Sequence, residues 1–229
     1  RAYAHIGALR ALREAGVPID FVGGASMGAG IAAGPALNWS QEELEARIRR
    51  AFVQSDPLSD LAFPMLAMTR ARKVDRLLQE AYGDIDLADL HRPFFAASTN
   101  LTSGKLEVHR RGLMRRAMRA SIAIPGILPP VVIDDQVLVD GAVLKNLPAE
   151  VMRNMTSGPV VGIDMSEARG VDPHLIQHPP SIWRLIATGA WRRGPPIVSI
   201  LMRSATLTTD ADLESSRAAT DLLIQPRPD

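Results

Sequence analysis

The stretch FVGGASMGAGIAAGPAL, residues 21–37, decides the architecture. Phe21-Val22-Gly23 reads as a short apolar strand, and the run of small residues from Met27 to about Leu37 as a helix, with a sharp turn at Ala25-Ser26-Met27 between them. The small side chains let the helix backbone lie close against a sheet. From Phe21 to Gln41 there is no charge, a length that invites comparison with a membrane span. Gly23, Gly24, Gly28, Gly30, Gly34 and Pro35 interrupt it and turn signals bracket it, so it reads as a buried turn and helix.

Working outward, residues 2–15 form an amphipathic pattern with Ile6, Leu9 and Leu12 on one face and Gly16 as the stop. Ser40 with Glu43 three residues on is a capping box that opens a helix over 41–53. Residues 54–72 are irregular, with Pro57 and Pro64, and a helix is predicted from Lys73 to Tyr82, ended by Gly83. Phe94–Thr99 and Leu106–His109 read as strands joined across Thr102-Ser103-Gly104, a hairpin signal. A helix follows from Leu113 to Ser121. Val131–Ile133 and Val137–Val139 flank Asp134-Asp135, Pro159–Met165 is another strand, and a last strand lies near Leu222–Ile224. Strands alternate with helices throughout, so the expected class is α/β, with a largely parallel central sheet covered on both faces. No repeat or domain-separating linker is evident, and the simplest reading of residues 1–229 is a single domain.

The composition narrows the chemistry. The chain has 229 residues, 46% hydrophobic and 22% charged, as expected of a globular protein. Its 26 Lys+Arg against 25 Asp+Glu leave +1, so no bulk field attracts nucleic acid, and aromatics at 4% make base-stacking platforms improbable. Cysteine is absent, which removes disulfides, thiolate metal sites and a cysteine nucleophile; no metal or cofactor is expected. The basic residues are almost all arginine, lysine occurring only at Lys73, Lys105 and Lys145; composition bias explains this as well as phosphate recognition does.

Gly24-Ala25-Ser26-Met27-Gly28 is a G-x-S-x-G pattern in the context that the motif demands, a strand before it and a helix after it. Gly24 and Gly28 are expected to approach one another across the turn, where Cβ atoms would clash. The turn would present the Ser26 hydroxyl at a strand end and a helix start, where free N–H groups such as that of Met27 can support a developing oxyanion. The alternative is that Ser26 merely caps the helix. Gly28-x-Gly30-x-x-Ala33 also fits a dinucleotide fingerprint on paper, but the turn comes too early and a capped helix stands where the acidic strand end should be. No G-K-[ST] follows, which excludes a P-loop.

A serine needs a proton acceptor. None of His5, His91, His109, His174 and His178 is placed as a triad would require, although His174 and His178 have the chain order for one. Asp140 follows the strand Val137-Leu138-Val139 and precedes Gly141-Ala142, so it would emerge from a strand end into a tight turn among apolar residues that raise its basicity. An ordinary Asp-Gly turn residue is the alternative.

Ser26 in GASMG together with Asp140 in DGA resembles the pair that defines patatin-like phospholipases, in particular their bacterial, neuropathy-target-esterase-like branch. The similar segments are AHIGALRALREAGVPIDFVGGASMGA, STNLTSGKLEVH, RRAMRASIAIPGILPP and LVDGAVLKNLP, which span most of residues 1–165. The resemblance implies a three-layer α/β/α fold and a serine lipid acyl hydrolase with a Ser–Asp dyad. In it Ser26 attacks the ester carbonyl, Asp140 takes the proton and then activates water, and Gly141 belongs to the motif. In the family, a glycine-rich loop ending in Arg-Gly forms the oxyanion hole. Arg1 matches the arginine, Ala2 replaces the glycine, and Arg1 and Met27 are the expected oxyanion and substrate support. Lys145 stands where the family often has asparagine before Asn146.

The resemblance further implies a phospholipid or lysophospholipid substrate, with peripheral membrane contact and flanking regulatory domains as expectations. Arg110, Arg111, Arg115, Arg116 and Arg119 near one helix, and Trp191-Arg192-Arg193, are candidate membrane contacts or else a solvated basic face. Residues 54–72, with Leu61, Phe63, Met65, Leu66 and Met68, are a candidate lid or else ordinary packing. Both ends look cut, so targeting is not readable and the expected location is the cytoplasm or a membrane periphery. The rival readings are a catalytically impaired lipid-binding or regulatory module of the same fold and an ordinary Ser-His-Asp esterase.

Overall fold

The computed structural model describes residues 2–62, 66–165, 200, 203–204 and 212–226. Its centre is β2 (Phe94–Asn100), buried along its whole length. The first half of FFAASTN is apolar on both faces, with Phe94 and Ala96 on one side and Phe95 and Ala97 on the other, while the second half buries the polar Ser98, Thr99 and Asn100. Phe94 and Ala96 join a core with Ala29, Ala33, Met114, Ala117 and Met118, contributed by α2 (Met27–Ala36) and α5 (Met114–Ser121). Phe95 and Ala97 pack with Ala25 against Val151, Met152 and Met155 of α6 (Ala149–Met155). Helices therefore cover both sides of the sheet, the α/β/α layering expected.

The sheet is mixed. β1 (Val22–Ala25) pairs parallel with β2, and β6 (Val161–Ile163) pairs parallel with β7 (Leu222–Ile224) in a separate two-stranded sheet. β3 (Lys105–His109) and β5 (Gln136–Asp140) pair antiparallel with β2, and β4 (Val131–Ile133) pairs antiparallel with β5. Among the described residues the expected parallel character thus holds for β1–β2 and β6–β7, and the class is unchanged. For β2–β3 and β4–β5 the reason is connection length, since parallel neighbours need a long crossover and each of these pairs is joined by a tight turn. Asn100 Oδ1 accepts from the Thr102 and Ser103 N–H groups to close the first turn. Asp134 and Asp135 take φ of 48° and 59°, the left-handed pair that a two-residue hairpin turn requires.

The helix α1 (Ala2–Glu14) and α3 (Gln41–Arg49) pack beside α2 through Ile6, Leu9, Ile31, Leu44 and Ile48. Ser40 caps α3 by accepting from the Glu43 N–H at 3.1 Å, but Glu43 does not reach back to complete a capping box. Its carboxylate pairs with Arg47 at 2.8 Å instead, while the Ser40 hydroxyl donates to Glu42. The predicted helix over 41–53 is α-helical only to Arg49 and continues as a π-helical turn, Arg50–Gln54. α4 (Arg72–Tyr82) ends at Gly83 as expected. The helix α6 has no counterpart in the sequence reading. It has seven residues and starts after Pro148, too short a segment for periodicity to show, although Glu150 in its first turn and Arg153 in its last are the charges that suit a helix's ends.

Leu44 is fully buried and fills the notch left by Gly34, where a Cβ would come within 2.9 Å of its Cδ1. Leu44→Ala is expected to lower unfolding stability by about 2–5 kcal/mol, the usual cost of a cavity in a close-packed core. A denaturant titration reads this as a lower midpoint with an unchanged slope.

Candidate active site

The site is built where two strands meet end to end along one edge of β2. β1 runs parallel to β2 and makes its last pairing at Ala25↔Ala97; β5 runs antiparallel and pairs Asp140 with Ser98. Their carboxyl ends therefore converge on adjacent residues of the same strand. Ser26 follows one end and Asp140 terminates the other, and the Ser26 Oγ–H donates to Asp140 Oδ2 at 2.6 Å across 114 residues of sequence.

Each partner is held by its backbone. Ser26 has φ 52° and ψ −124°, a conformation that a non-glycine residue adopts only when its surroundings enforce it, and it caps α2 without using its hydroxyl on the helix. The capping alternative is thereby answered: the side chain points to a carboxylate. A Cβ on Gly24 would lie 2.8 Å from the Gly28 backbone carbon and 2.9 Å from Ala29 N, so Gly24 permits the turn. Gly28 departs from expectation, because a Cβ there would meet nothing within 4 Å. The clash is one-sided: the elbow turns the bare face of Gly24 onto the helix backbone, while Gly28 faces open cavity. Gly141 is held more tightly still, since its Cβ would lie 2.3 Å from the Ala97 carbonyl oxygen and 3.1 Å from the Ala25 Cβ. It is the residue at which β5 abuts β1.

Asp140 is buried to 1% exposure. Its N–H donates to the Ala123 carbonyl at 3.0 Å, and its Oδ1 accepts from the Ala142 N–H at 2.8 Å. Burial pushes its pKa up to about 6, while the hydrogen bonds from Ser26 and Ala142 oppose that rise. The result is a carboxylate that is ionised at neutral pH yet basic enough to take a proton, the property a general base needs.

Beside this pair, the Met27, Gly28 and Ala29 N–H groups at the start of α2 have no hydrogen-bond partner among the described residues. They constitute the positive end of a helix pointed at the Ser26 hydroxyl, suited to a developing oxyanion. The Ser26 N–H is not available for this, being engaged by Ser121 Oγ at 2.9 Å. Ser121 is a site residue that the sequence reading passed over, since a serine closing a helix carries no signal of its own. A cavity of about 600 Å³ opens over Ser26 and Asp140, with walls that include Leu9, Ile31, Ile124, Leu147 and Met152. Its volume and apolar lining suit a small hydrophobic ligand or part of a longer one.

The other expected features divide. Neither Ser26 nor Asp140 is bonded to a histidine among the described residues. His109 Nε2 lies 2.7 Å from Ser98 Oγ, and burial lowers its pKa. His5 lines the cavity. His174, His178 and Trp191-Arg192-Arg193 lie outside the described residues, as do Arg1, Phe63 and Met65. The basic cluster is not one solvated face. Arg115 pairs with Asp84 at 3.2 Å, Arg116 donates to the Val132 carbonyl, and Arg119 is a buried clamp on Asp75 at 3.0 Å; only Arg110 and Arg111 remain exposed and unpaired among the described residues. Leu61 and Leu66 are 49% and 76% exposed, but no described residue of 54–72 lines the cavity, and Met68 and Thr69 are tied to Gly126 and Ile127. Lys145 pairs with Glu150 at 3.0 Å, which accounts for it structurally. Among the described residues no three acidic or imidazole groups gather as a metal site would require, and no helix is long and apolar enough to cross a membrane.

Comparison with known proteins gives this geometry its setting. An uncharacterized NTE family protein of Mycobacterium tuberculosis is 40% identical over 213 residues, covering 90% of this chain and 36% of its own length. Patatin-like phospholipase domain-containing protein 6 of Mus musculus is 34% identical over 203 residues, 86% of this chain and 15% of its own length. A lysophospholipase of Mycosarcoma maydis is 32% identical over 206 residues, 87% of this chain and 11% of its own length. The chain thus spans about a third or less of each of these relatives. The patatin-like phospholipase family model matches residues 1–153, a stretch that contains both the serine elbow and the aspartate that meets it, and the chain belongs to the patatin-like phospholipase family.

Proposed function

We propose that this chain is a lipid acyl hydrolase that cleaves carboxylic esters through an acyl-enzyme on Ser26. The observation that carries the reading is the direct 2.6 Å hydrogen bond from Ser26 Oγ to a buried carboxylate of raised pKa. Ser26 Oγ attacks the ester carbonyl carbon as its proton passes to Asp140 Oδ2. The tetrahedral oxyanion is met by the free N–H groups led by Met27, with Arg1 as further support. On collapse, the leaving alcohol takes the proton from Asp140 and the acyl group stays on Ser26. Water then gives a proton to Asp140 and attacks the acyl carbonyl, and the proton returns to Ser26 Oγ as the fatty acid leaves. The aspartate acts alternately as base and acid, and no histidine is needed.

Phospholipids and lysophospholipids are the proposed substrates, supported by the apolar cavity and by the similarity to a fungal lysophospholipase. The unit is proposed as a single patatin-like domain that meets lipid at a membrane periphery or in the cytoplasm, with regulatory domains flanking it in the longer protein. No metal or cofactor enters the scheme.

A fluorophosphonate probe tests the nucleophile. The expected result is one covalent adduct per chain, mapped by peptide mass to the segment containing Ser26, with fatty acid released from lysophosphatidylcholine by the unlabelled protein. An adduct elsewhere, or full-length protein that folds but neither labels nor hydrolyses, overturns the reading in favour of a lipid-binding module.

A further inference from the structure

The strained serine elbow is not held by its own strand. β1 stops at Ala25, and the Ser26 N–H, which would add another rung to the ladder with β2 if the strand continued, turns away from it. The gap is filled by a side chain from a third element. Ser121 Oγ accepts from the Ser26 N–H at 2.9 Å and donates its own proton to the Ala97 carbonyl at 2.7 Å. One hydroxyl thus stands in for a missing rung, pairing with a backbone group on each side of the break. Ser121 is completely buried.

Ser121 has no freedom to drift. It is the last residue of α5, whose Met114, Ala117 and Met118 are locked into the core beneath β2. Two residues on, the Ala123 carbonyl accepts the Asp140 N–H at 3.0 Å. The three residues from Ser121 to Ala123 therefore grip the serine elbow with one end and the aspartate with the other. Their rigidity sets the spacing between two groups brought together from 114 residues apart.

We infer that Ser121 is a positioning residue for the hydrolytic reaction, whose hydroxyl holds the Ser26 backbone in its strained conformation and so fixes the Ser26–Asp140 contact. This rests on the reading of Ser26 as nucleophile. Without the hydroxyl, the Ser26 N–H and the Ala97 carbonyl both lose this partner, and the elbow relaxes toward ordinary backbone angles. Such relaxation moves Oγ away from Asp140. A reacting atom displaced by about an ångström commonly costs on the order of 100-fold in rate.

The test uses full-length protein and p-nitrophenyl butyrate, with rates normalised to the active-site count from fluorophosphonate titration. In Ser121→Ala, kcat is expected to fall about 10- to 100-fold with KM unchanged, since the hydroxyl touches no substrate. The acid limb of the pH–rate profile is expected to move to higher pH, because the Ser26 hydrogen bond that holds the Asp140 pKa down is lost. The other ionisable side chains lining the same cavity are His5 on α1, Asp20 before β1 and Asp164 after β6, and the substitution leaves all three in place. A residue needed merely for folding would lower the titratable count and leave the normalised kcat and the profile midpoint where they were. Ser121→Thr, which keeps the hydroxyl, is expected to recover most of the rate. If Ser121→Ala does not fold, Ser121→Cys carries the same expectation, because a thiol of similar size is a poor acceptor. Unchanged normalised kcat and midpoint overturn the inference. Activity surviving in Ser26→Ala overturns the underlying nucleophile reading instead.

Discussion

Asp140→Asn is expected to abolish ester hydrolysis to within background, a loss of at least ~10³-fold in kcat, while making the fold more stable at neutral pH. The loss follows from geometry: an amide of the same shape still accepts from the Ala142 N–H but cannot take the Ser26 proton, and no described histidine is hydrogen-bonded to Ser26. The gain in stability follows from the same burial. The folded pKa of Asp140 is raised to about 6 from the ordinary carboxyl value of 3.8, so the native state holds its proton more tightly than the unfolded chain does. Below about pH 4 the carboxyl is protonated in both states and costs little. Between about 4 and 6 the unfolded chain ionises first, and stability declines as pH rises; above about 6 the penalty for a buried charge is complete. At 1.36 kcal/mol per pKa unit, the penalty is on the order of 3 kcal/mol, which Asn does not incur. Thermal unfolding of the wild type and of Asp140→Asn at pH 4 and pH 7.5 reads this directly. The variants should converge at low pH and separate at high pH, with the inactive one more stable. The kcat/KM of the wild type should correspondingly rise with pH through an apparent pKa near 6. A variant less stable at pH 7.5, or an acid limb near pH 4, would contradict the assignment of Asp140 as the buried base.

Gly141→Ala is expected to reduce activity by about 100-fold or more and to destabilise the fold, although it adds a single methyl group to a residue that performs no chemistry. A Cβ there would sit 2.3 Å from the Ala97 carbonyl oxygen, which belongs to the fully buried β2 and cannot rotate away. Restoring ordinary contact means moving the end of β5 by about an ångström, and Asp140 is the preceding residue. Gly28→Ala is the informative contrast. It sits in the same motif by sequence, yet a methyl group there meets nothing within 4 Å, so the melting temperature should hardly change. Gly24→Ala should behave like Gly141→Ala, because its neighbours are backbone atoms of Gly28 and Ala29. Circular-dichroism melts and p-nitrophenyl ester rates on the three variants separate the glycines that the fold requires from the one it does not.

Much of this architecture was legible in the residues because it is local. The serine elbow needs one strand, one turn and one helix within seventeen residues, and glycine placement around Ser26 announces all three. The hairpins across Thr102–Gly104 and Asp134-Asp135 carry their own turn chemistry. Read residue by residue, Asp140 stayed open between a base and a turn residue, and it was the resemblance of its DGA segment to a family motif that singled it out. The histidines stayed open for the same reason, since nothing within a few residues of any of them reveals what it faces.

What remained invisible is everything made by elements distant in the chain that share one edge of β2. That β1 and β5 arrive head to head at Ala97 and Ser98, that Ser121 bridges the break in the ladder, and that Gly141 is pressed against a carbonyl are consequences of strand register. Register is an outcome of packing the whole sheet against α2, α5 and α6, and no local propensity encodes it. A hydroxyl and a carboxylate 114 residues apart acquire their 2.6 Å contact in that way: short-range sterics shape each partner, and the cooperative burial of the sheet brings them together.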